Sequence, residues 1–265
     1  MQSNSPAPKR PDYGLDAPDV VRNLFLAGAA GWAIWASVML GLWSGAVLGA
    51  QLWPMAFGCA VGFTLTGLWM VWDSKVGKYR RRERLLDRLA WRGDESVLDV
   101  GCGRGLMLTA AARRVPRGKA VGVDLWQAED LTGNRPEATL ENARLEGVAD
   151  RVEVHTADMR KMPFPDGTFD VIVSNVAIHN LYQPAEREQA VAEIARVLKP
   201  GGQVLINDIR HGDEYAAAFV KHGCADVRRL EARWLALMAA LFTFGSLRPA
   251  TLLARKPSAT SAASI

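Results

Sequence analysis

Two regimes of hydrophobic patterning divide the chain. From Asn23 to Trp72 no Asp, Glu, Lys, Arg or His interrupts the sequence, whereas from Ser96 onward short apolar runs alternate with stretches of helical periodicity. A hydrocarbon layer of roughly 30 Å is crossed by about 20 apolar residues in a helix. The first regime therefore predicts two membrane spans, 24–43 and 54–72, joined by a short connector. Trp43 and Trp53 mark one interface, and Trp69 and Trp72 the other, as aromatic belts do. Pro54 suits the first turn of a helix. A secretory signal is a poor account of the first span: the apolar run is too long, no small-residue cleavage site follows, and a second span comes directly after. Gly41, Gly45 and Gly49, and again Gly58 and Gly62, recur at four-residue spacing. Such faces let helix backbones approach closely, either within the hairpin or between copies in a homo-oligomer.

The second regime predicts strands at 96–100, 120–124, 152–155, 169–174 and 203–208, with helices at 106–115, 136–146, 184–198 and 214–222. Strands alternating with helices imply a parallel sheet with crossovers, an α/β fold, and 226–230 with 250–255 supply a closing antiparallel pair. The expected architecture is a doubly wound, mostly parallel seven-stranded sheet preceded by a two-helix transmembrane hairpin. Its divisions are 1–22, a disordered N-terminus; 23–72, the hairpin; 73–93, a basic amphipathic linker helix centred on 79–91 and lying on the membrane surface; 94–256, the α/β domain; and 257–265, a disordered tail. The uncharged stretch 234–244 is too short to span a bilayer and is either core, an interfacial segment or the wall of an apolar pocket.

Charge orients this arrangement. The net charge of the chain is +4, yet Lys75 to Arg92 alone holds eight basic residues against Glu83 and Asp87. Positive flanks remain on the cytoplasmic side, and a hairpin returns both of its ends there, so the expected location is a multi-pass cell-membrane protein with a cytoplasmic α/β domain. Directly after a span, such a run suits anionic lipid headgroups better than nucleic acid, and no nucleic-acid partner is expected. Three cysteines do not make a disulfide framework, which agrees with a reducing compartment. No metal site is expected.

The chemistry centres on Asp99-Val-Gly101-Cys102-Gly103-Arg-Gly105, a loop between the first predicted strand and a helix. Glycine allows the tight turn and the close approach of a ligand, and the helix start offers free N–H groups and a positive dipole end. A dinucleotide fingerprint would place its third glycine one residue later; here that position is Leu106, and no P-loop lysine follows. Asp99 is placed to order the loop and to reach a ligand ammonium. Asp124, at the end of the second strand, is placed to accept from both hydroxyls of a ribose, although an acid there is also ordinary turn chemistry. After the third strand, Asp158 is placed to accept from an adenine amino group and Met159 to pack on the ring.

This order of motifs, completed by the Phe169-Asp170 strand and the turn Leu198-Lys-Pro-Gly-Gly202, resembles the class I S-adenosylmethionine-dependent methyltransferases over roughly 75–256. It is closest to the branch that includes the ubiquinone and menaquinone biosynthesis methyltransferases and departs from it in the hairpin. The resemblance implies a Rossmann-like methyltransferase domain. S-adenosyl-L-methionine is then the cofactor, held by Asp99, Gly101, Cys102, Gly103, Gly105, Asp124, Leu125, Asp158, Met159 and Asn175. His179, after the fourth strand, is a candidate general base, with a structural histidine as the competing reading. Trp126 and Tyr182 are candidate pocket walls, and Lys78 or Tyr79 candidates to close over the cofactor. Cys224 lacks the companion cysteines of the arsenite methyltransferases. Anchoring at a bilayer points to an apolar or lipid-like acceptor delivered from the membrane. The competing readings are a membrane-anchored cofactor-binding regulatory module without catalysis and, disfavoured by Leu106, a nicotinamide oxidoreductase.

Overall fold

Glycine decides how closely the first two helices pack. The computed structural model of the chain describes residues 9–42, 46–127, 131–230, 237 and 247–258, with 46–52 described by their backbone alone. The chain divides into two compact units, one formed by Tyr13–Arg81 with Gln127–Asn134, the other by the remainder. In the first, α1 (Pro18–Met39) lies antiparallel to α2 (Ala46–Trp72). An added Cβ on Gly31 would come within 2.9 Å of the Ala60 backbone nitrogen, and one on Gly28 within 2.6 Å of Thr64 Oγ1. The packing glycines are therefore Gly28 and Gly31, with Gly67 against the Phe25 ring. A Cβ on Gly58 or Gly62 meets nothing, and Gly41 sits in the turn after α1 with φ +69°; Gly45 lies outside the described residues and Gly49 is described by its backbone alone. Trp43, expected at an interface, also lies outside the described residues.

Among the described residues, one helical stretch, Trp53–Leu86, is long and apolar enough to cross a membrane by length and composition. The first helix begins at Pro18 and stops at Met39. Its helical length thus takes in Asp19, Arg22 and Asn23 at the expense of Leu40 and Leu42, and it falls short of that measure. In the N-terminal segment expected to be disordered through 22, residues from 9 onward are described and α1 begins at Pro18. Tyr13 is 1 % exposed and stacks edge-on against Tyr79. The Lys78 ammonium donates to the Tyr13 and Gly14 carbonyls, at 2.8 Å each, and to Asp16 at 3.0 Å. Burying an ammonium requires partners of this kind.

A π-helical turn, Asp73–Gly77, follows α2 and leads into α3 (Lys78–Leu86). The predicted helix 79–91 ends earlier than expected, and Leu86 and Leu89 are buried in the core of the α/β unit. Arg82, also buried, bonds Glu146 and Glu83 at 3.0 Å. Part of the basic run is thus internal structure, not membrane-facing charge.

The α/β unit is built on β1 (Ser96–Val100), β2 (Lys119–Asp124), β3 (Val152–Thr156), β4 (Phe169–Asn175), β5 (Leu198–Asp208), β6 (Ala225–Arg229) and β7 (Ala250–Arg255). Their order in the sheet is β3-β2-β1-β4-β5-β7-β6. The first five run parallel, and β7 is antiparallel to both β5 and β6. This is the expected Rossmann-like sheet. Alternation along each strand sends successive side chains to opposite faces. Leu98, Val100 and Ile172 pack with Val191, Ile194 and Phe219 of α6 (Pro184–Val197) and α7 (Gly212–Lys221). On the other face Val97, Val171 and Val173 pack with Leu108 and Ala111 of α4 (Leu106–Arg114) and Ala143 of α5 (Pro136–Leu145). The expected turn lies inside β5: Leu198 pairs with Phe169, Gly201 holds φ +80°, and pairing resumes only at Gln203 with Val171. Backbone bonds join Gly201 N–H to the Lys256 carbonyl and Lys256 N–H to that of Gly202.

Candidate active site

The strand order reverses between β1 and β4, and in open α/β sheets the crevice beyond the carboxyl ends of the strands at such a point is the ligand site. The glycine loop leaves β1 there. Gly101, Gly103 and Gly105 all adopt positive φ, a conformation that costs a residue with a Cβ but not glycine. Gly101 and Cys102 both donate their N–H to the Val123 carbonyl, at 2.9 and 3.0 Å. From α5, Thr139 Oγ1 donates to the Gly103 carbonyl at 2.7 Å and Asn142 Nδ2 to that of Arg104 at 2.9 Å. The same Asn142 amide receives the Asp12 N–H and donates to the Asp12 carbonyl, both at 2.9 Å. Arg104 pairs with the Asp12 carboxylate at 3.2 Å. A strap of chain from ahead of the hairpin is thereby stitched to the glycine loop.

Asp99 is fully buried and points at the start of α4, where its carboxylate accepts from the Leu108 N–H. Its Oδ2 has no hydrogen-bond partner. Burial pushes its pKa up to about 8, the Leu108 bond opposes that, and the neighbouring charge of Asp124 adds to it. The Asp124 carboxylate accepts from Gly103 N–H at 2.8 Å and Trp126 N–H at 2.6 Å. Burial, with the charges of Asp99 and Asp124, raises the Cys102 thiol well above its ordinary value. Two acids beside a glycine loop, one with a buried and unpartnered oxygen, suit a cationic nucleoside and repel a pyrophosphate.

The other residues expected at the site are placed as follows. Met159 reaches the loop: its Cε would lie 3.7 Å from a Cβ on Gly101. Asp158 is clamped by Arg160, at 2.8 Å through the backbone N–H and 2.6 to 3.0 Å through the guanidinium, and that bond holds its carboxyl below the usual range. Leu125 is exposed. Asn175 accepts from Asn207 Nδ2 at 2.7 Å, and Asn207 accepts in turn from Thr251 Oγ1 at 2.8 Å. Trp126 sits at φ +60° with its indole N–H on Thr156 Oγ1 at 2.8 Å. Tyr182 is 89 % exposed. Left-handed backbone recurs at Val176 and His211, beyond the ends of β4 and β5. For a β-branched residue such as Val176 this is a true outlier.

His179 lies just after β4 and its ring Nδ1 stands 2.7 Å from Asp208 Oδ1. Asp208, which ends β5, also receives the Ile209 N–H at 2.7 Å, the His179 backbone N–H at 3.1 Å and the Tyr215 hydroxyl at 3.3 Å. Asp208, Tyr215 and the loop anchor Arg187 are absent from the sequence-based site. Their only signal was an acid closing the apolar strand Val204-Leu-Ile-Asn-Asp208.

Residues 98–206 match the profile of a methyltransferase domain. The chain is 37% identical over 132 residues to the sterol 4-C-methyltransferase strm-1 of Caenorhabditis elegans, covering 49% of this chain and 36% of that protein. It is 33% identical over 132 residues to the ubiquinone/menaquinone biosynthesis C-methyltransferase UbiE of Roseobacter denitrificans, covering 49% of each. The chain thus spans half or less of the length of these curated relatives. Among solved structures, geranyl diphosphate C-methyltransferase from Streptomyces coelicolor superposes with a TM-score of 0.53 at 19% identity, over 74% of this chain and 83% of the other, which establishes the fold. Residues 98–206 of the α/β unit are thus similar to a methyltransferase domain, and the unit shares the fold of that solved methyltransferase.

Proposed function

We propose that this protein is an S-adenosylmethionine-dependent methyltransferase, held at a membrane by its helical hairpin, that methylates an apolar or lipid-like acceptor at the cytoplasmic face. The observation that carries the reading is the Asp99 carboxylate, buried with an unpartnered oxygen at the head of the glycine loop, next to Asp124. When bound, the cofactor supplies a sulfonium methyl group as the electrophile. Asp99 and the loop Gly101 to Gly105 hold its amino-acid end, Asp124 with Leu125 the ribose, and Asp158 with Met159 the adenine, while Asn175 closes the crevice from β4. Transfer then depends on positioning and exclusion of water, and His179 takes the proton that the acceptor loses.

The membrane part of the proposal draws on the hairpin surface. Leu26, Met39, Leu40, Met55, Leu65 and Trp69 are each more than half exposed, an apolar surface that a bilayer covers. The apolar acceptor draws on that placement and on the sterol and prenyl substrates named for two of the similar proteins. The test is incubation of the full chain in phospholipid vesicles with methyl-labelled cofactor and an added total membrane lipid extract. Label in the organic phase is expected; label that never leaves the cofactor would leave only a binding module.

A further inference from the structure

Outside the cofactor crevice, the carboxyl ends of β4 and β5 hold a second group of buried polar side chains. Asp208 has a side chain 1% exposed, and three donors converge on it: the Ile209 N–H, the His179 N–H and the Tyr215 hydroxyl. Burial and the charge of Asp208 raise the Tyr215 hydroxyl far above its ordinary range, so it remains a donor. The His179 ring Nδ1 stands 2.7 Å from the same carboxylate, but outside hydrogen-bond geometry, so that this buried nitrogen has no hydrogen-bond partner; catalytic hydrogen bonds often align only when ligands bind. The loop that carries His179 is fixed from outside. Arg187, 4% exposed, donates to the Leu181 and Tyr182 carbonyls at 2.8 and 2.9 Å and to Glu214 at 2.9 and 2.7 Å. Glu214 in turn meets His211 Nδ1 at 2.8 Å.

We propose that Asp208, steadied by Tyr215, is a positioning residue that keeps the proton of neutral His179 on Nδ1 and so presents Nε2 with its lone pair to the acceptor. This rests on the reading of His179 as proton acceptor. A carboxylate only accepts hydrogen bonds, so the ring nitrogen beside it carries the proton and the other does not. In the step, the acceptor atom bonds to the methyl carbon while the sulfonium C–S bond breaks with its electron pair going to sulfur. The proton of the acceptor passes to Nε2, and Asp208 opposes the imidazolium charge. Such a device serves an acceptor that loses a proton on methylation: a hydroxyl, a primary or secondary amine, or an acidic C–H. It has no task for a tertiary amine or a thioether, whose methylation leaves a fixed positive charge.

The tautomer can be read directly. The full chain, labelled with nitrogen-15 and held in lipid nanodiscs, contains four histidines, and a His179→Gln variant assigns the ring signals. At a pH where the rings are neutral, wild-type His179 is expected as the Nδ1–H form. Asp208→Asn, whose amide can donate to Nδ1, is expected to move it toward Nε2–H, with Tyr215→Phe between the two. Calorimetry with S-adenosylhomocysteine, expected to be unaltered in these variants, shows that they are folded. Methyl transfer to vesicles of total lipid extract is expected to fall by about 10²- to 10⁴-fold in Asp208→Asn, the usual contribution of a positioned base. A wild-type ring in the Nε2–H form, a tautomer unmoved by Asp208→Asn, or a labelled product with a fixed positive charge would each overturn the proposal. Absence of label from wild type with the expected tautomer intact would count against the methyltransferase reading and leave the Asp208–His179 assignment standing.

Discussion

Gly101 faces Ala177 so closely that a Cβ on the glycine would overlap the alanine methyl. The contact joins the loop after β1 to the loop after β4 across the point where the sheet reverses, and Gly101 holds φ +71°. Gly101→Ala therefore suffers both a clash and a left-handed backbone. Overpacking of this kind costs about 1–3 kcal/mol, and denaturant unfolding of the α/β unit should show a loss of that size together with weakened cofactor binding.

Asp99 gives a pH dependence of known sign. Its folded-state pKa is raised to about 8 from the model-compound 3.8, so between those values the unfolded chain binds fewer protons than the folded one. Stability without cofactor falls as pH rises through this window, by at most about 1.4 kcal/mol per pH unit. Asp99→Asn should remove that slope. Affinity for the cationic cofactor, compared with the same variant to cancel the ligand's own titration, should rise with pH toward 8 and level off above it. Thermal melts and calorimetry from pH 5 to 9 provide both curves.

The two sets of hairpin glycines should separate cleanly. Gly31→Ala places a methyl within about 3 Å of the Ala60 backbone and should loosen the α1–α2 pair, read as a lower melting temperature in detergent. Gly62→Ala meets open space and should leave it unchanged.

Arg187→Met removes a buried guanidinium that serves two carbonyls and Glu214. Glu214 is nearly half exposed and regains water, so the cost is that of the Leu181 and Tyr182 carbonyls left without their donor, about 1–3 kcal/mol. Hydrogen exchange should rise first in residues 178–183, the segment holding His179.

Much of the sheet was legible because each strand is a short apolar run bounded by turn residues, and β1 and β7 begin and end where the pattern placed them. The start of β5 was hidden: Pro200-Gly201-Gly202 has the composition of a turn and Gly201 the backbone of one, yet backbone bonds to Lys256 join it to the sheet, a partner far along the chain. The end of α3 was hidden for a similar reason. Leu89 keeps the helical spacing, but it is docking against the α/β core that buries it. Of the site, Asp99 and Asp124 are local motif and could be read. Asp208 with His179, and Arg187 with Glu214, are 29 and 27 residues apart. They meet only because β4 and β5 are neighbours and α6 packs beside α7, which no window of sequence contains.

The pairing of Asp12 with Asn142 bears on how this chain can be shortened. A truncation that starts at Arg82 discards the only described residues ahead of the hairpin that brace the glycine loop, and would blame the missing hairpin for a defect of the loop. A fair excision rejoins Asp12 to Arg82 through a flexible bridge, so that the first and third parts of the gene product still meet.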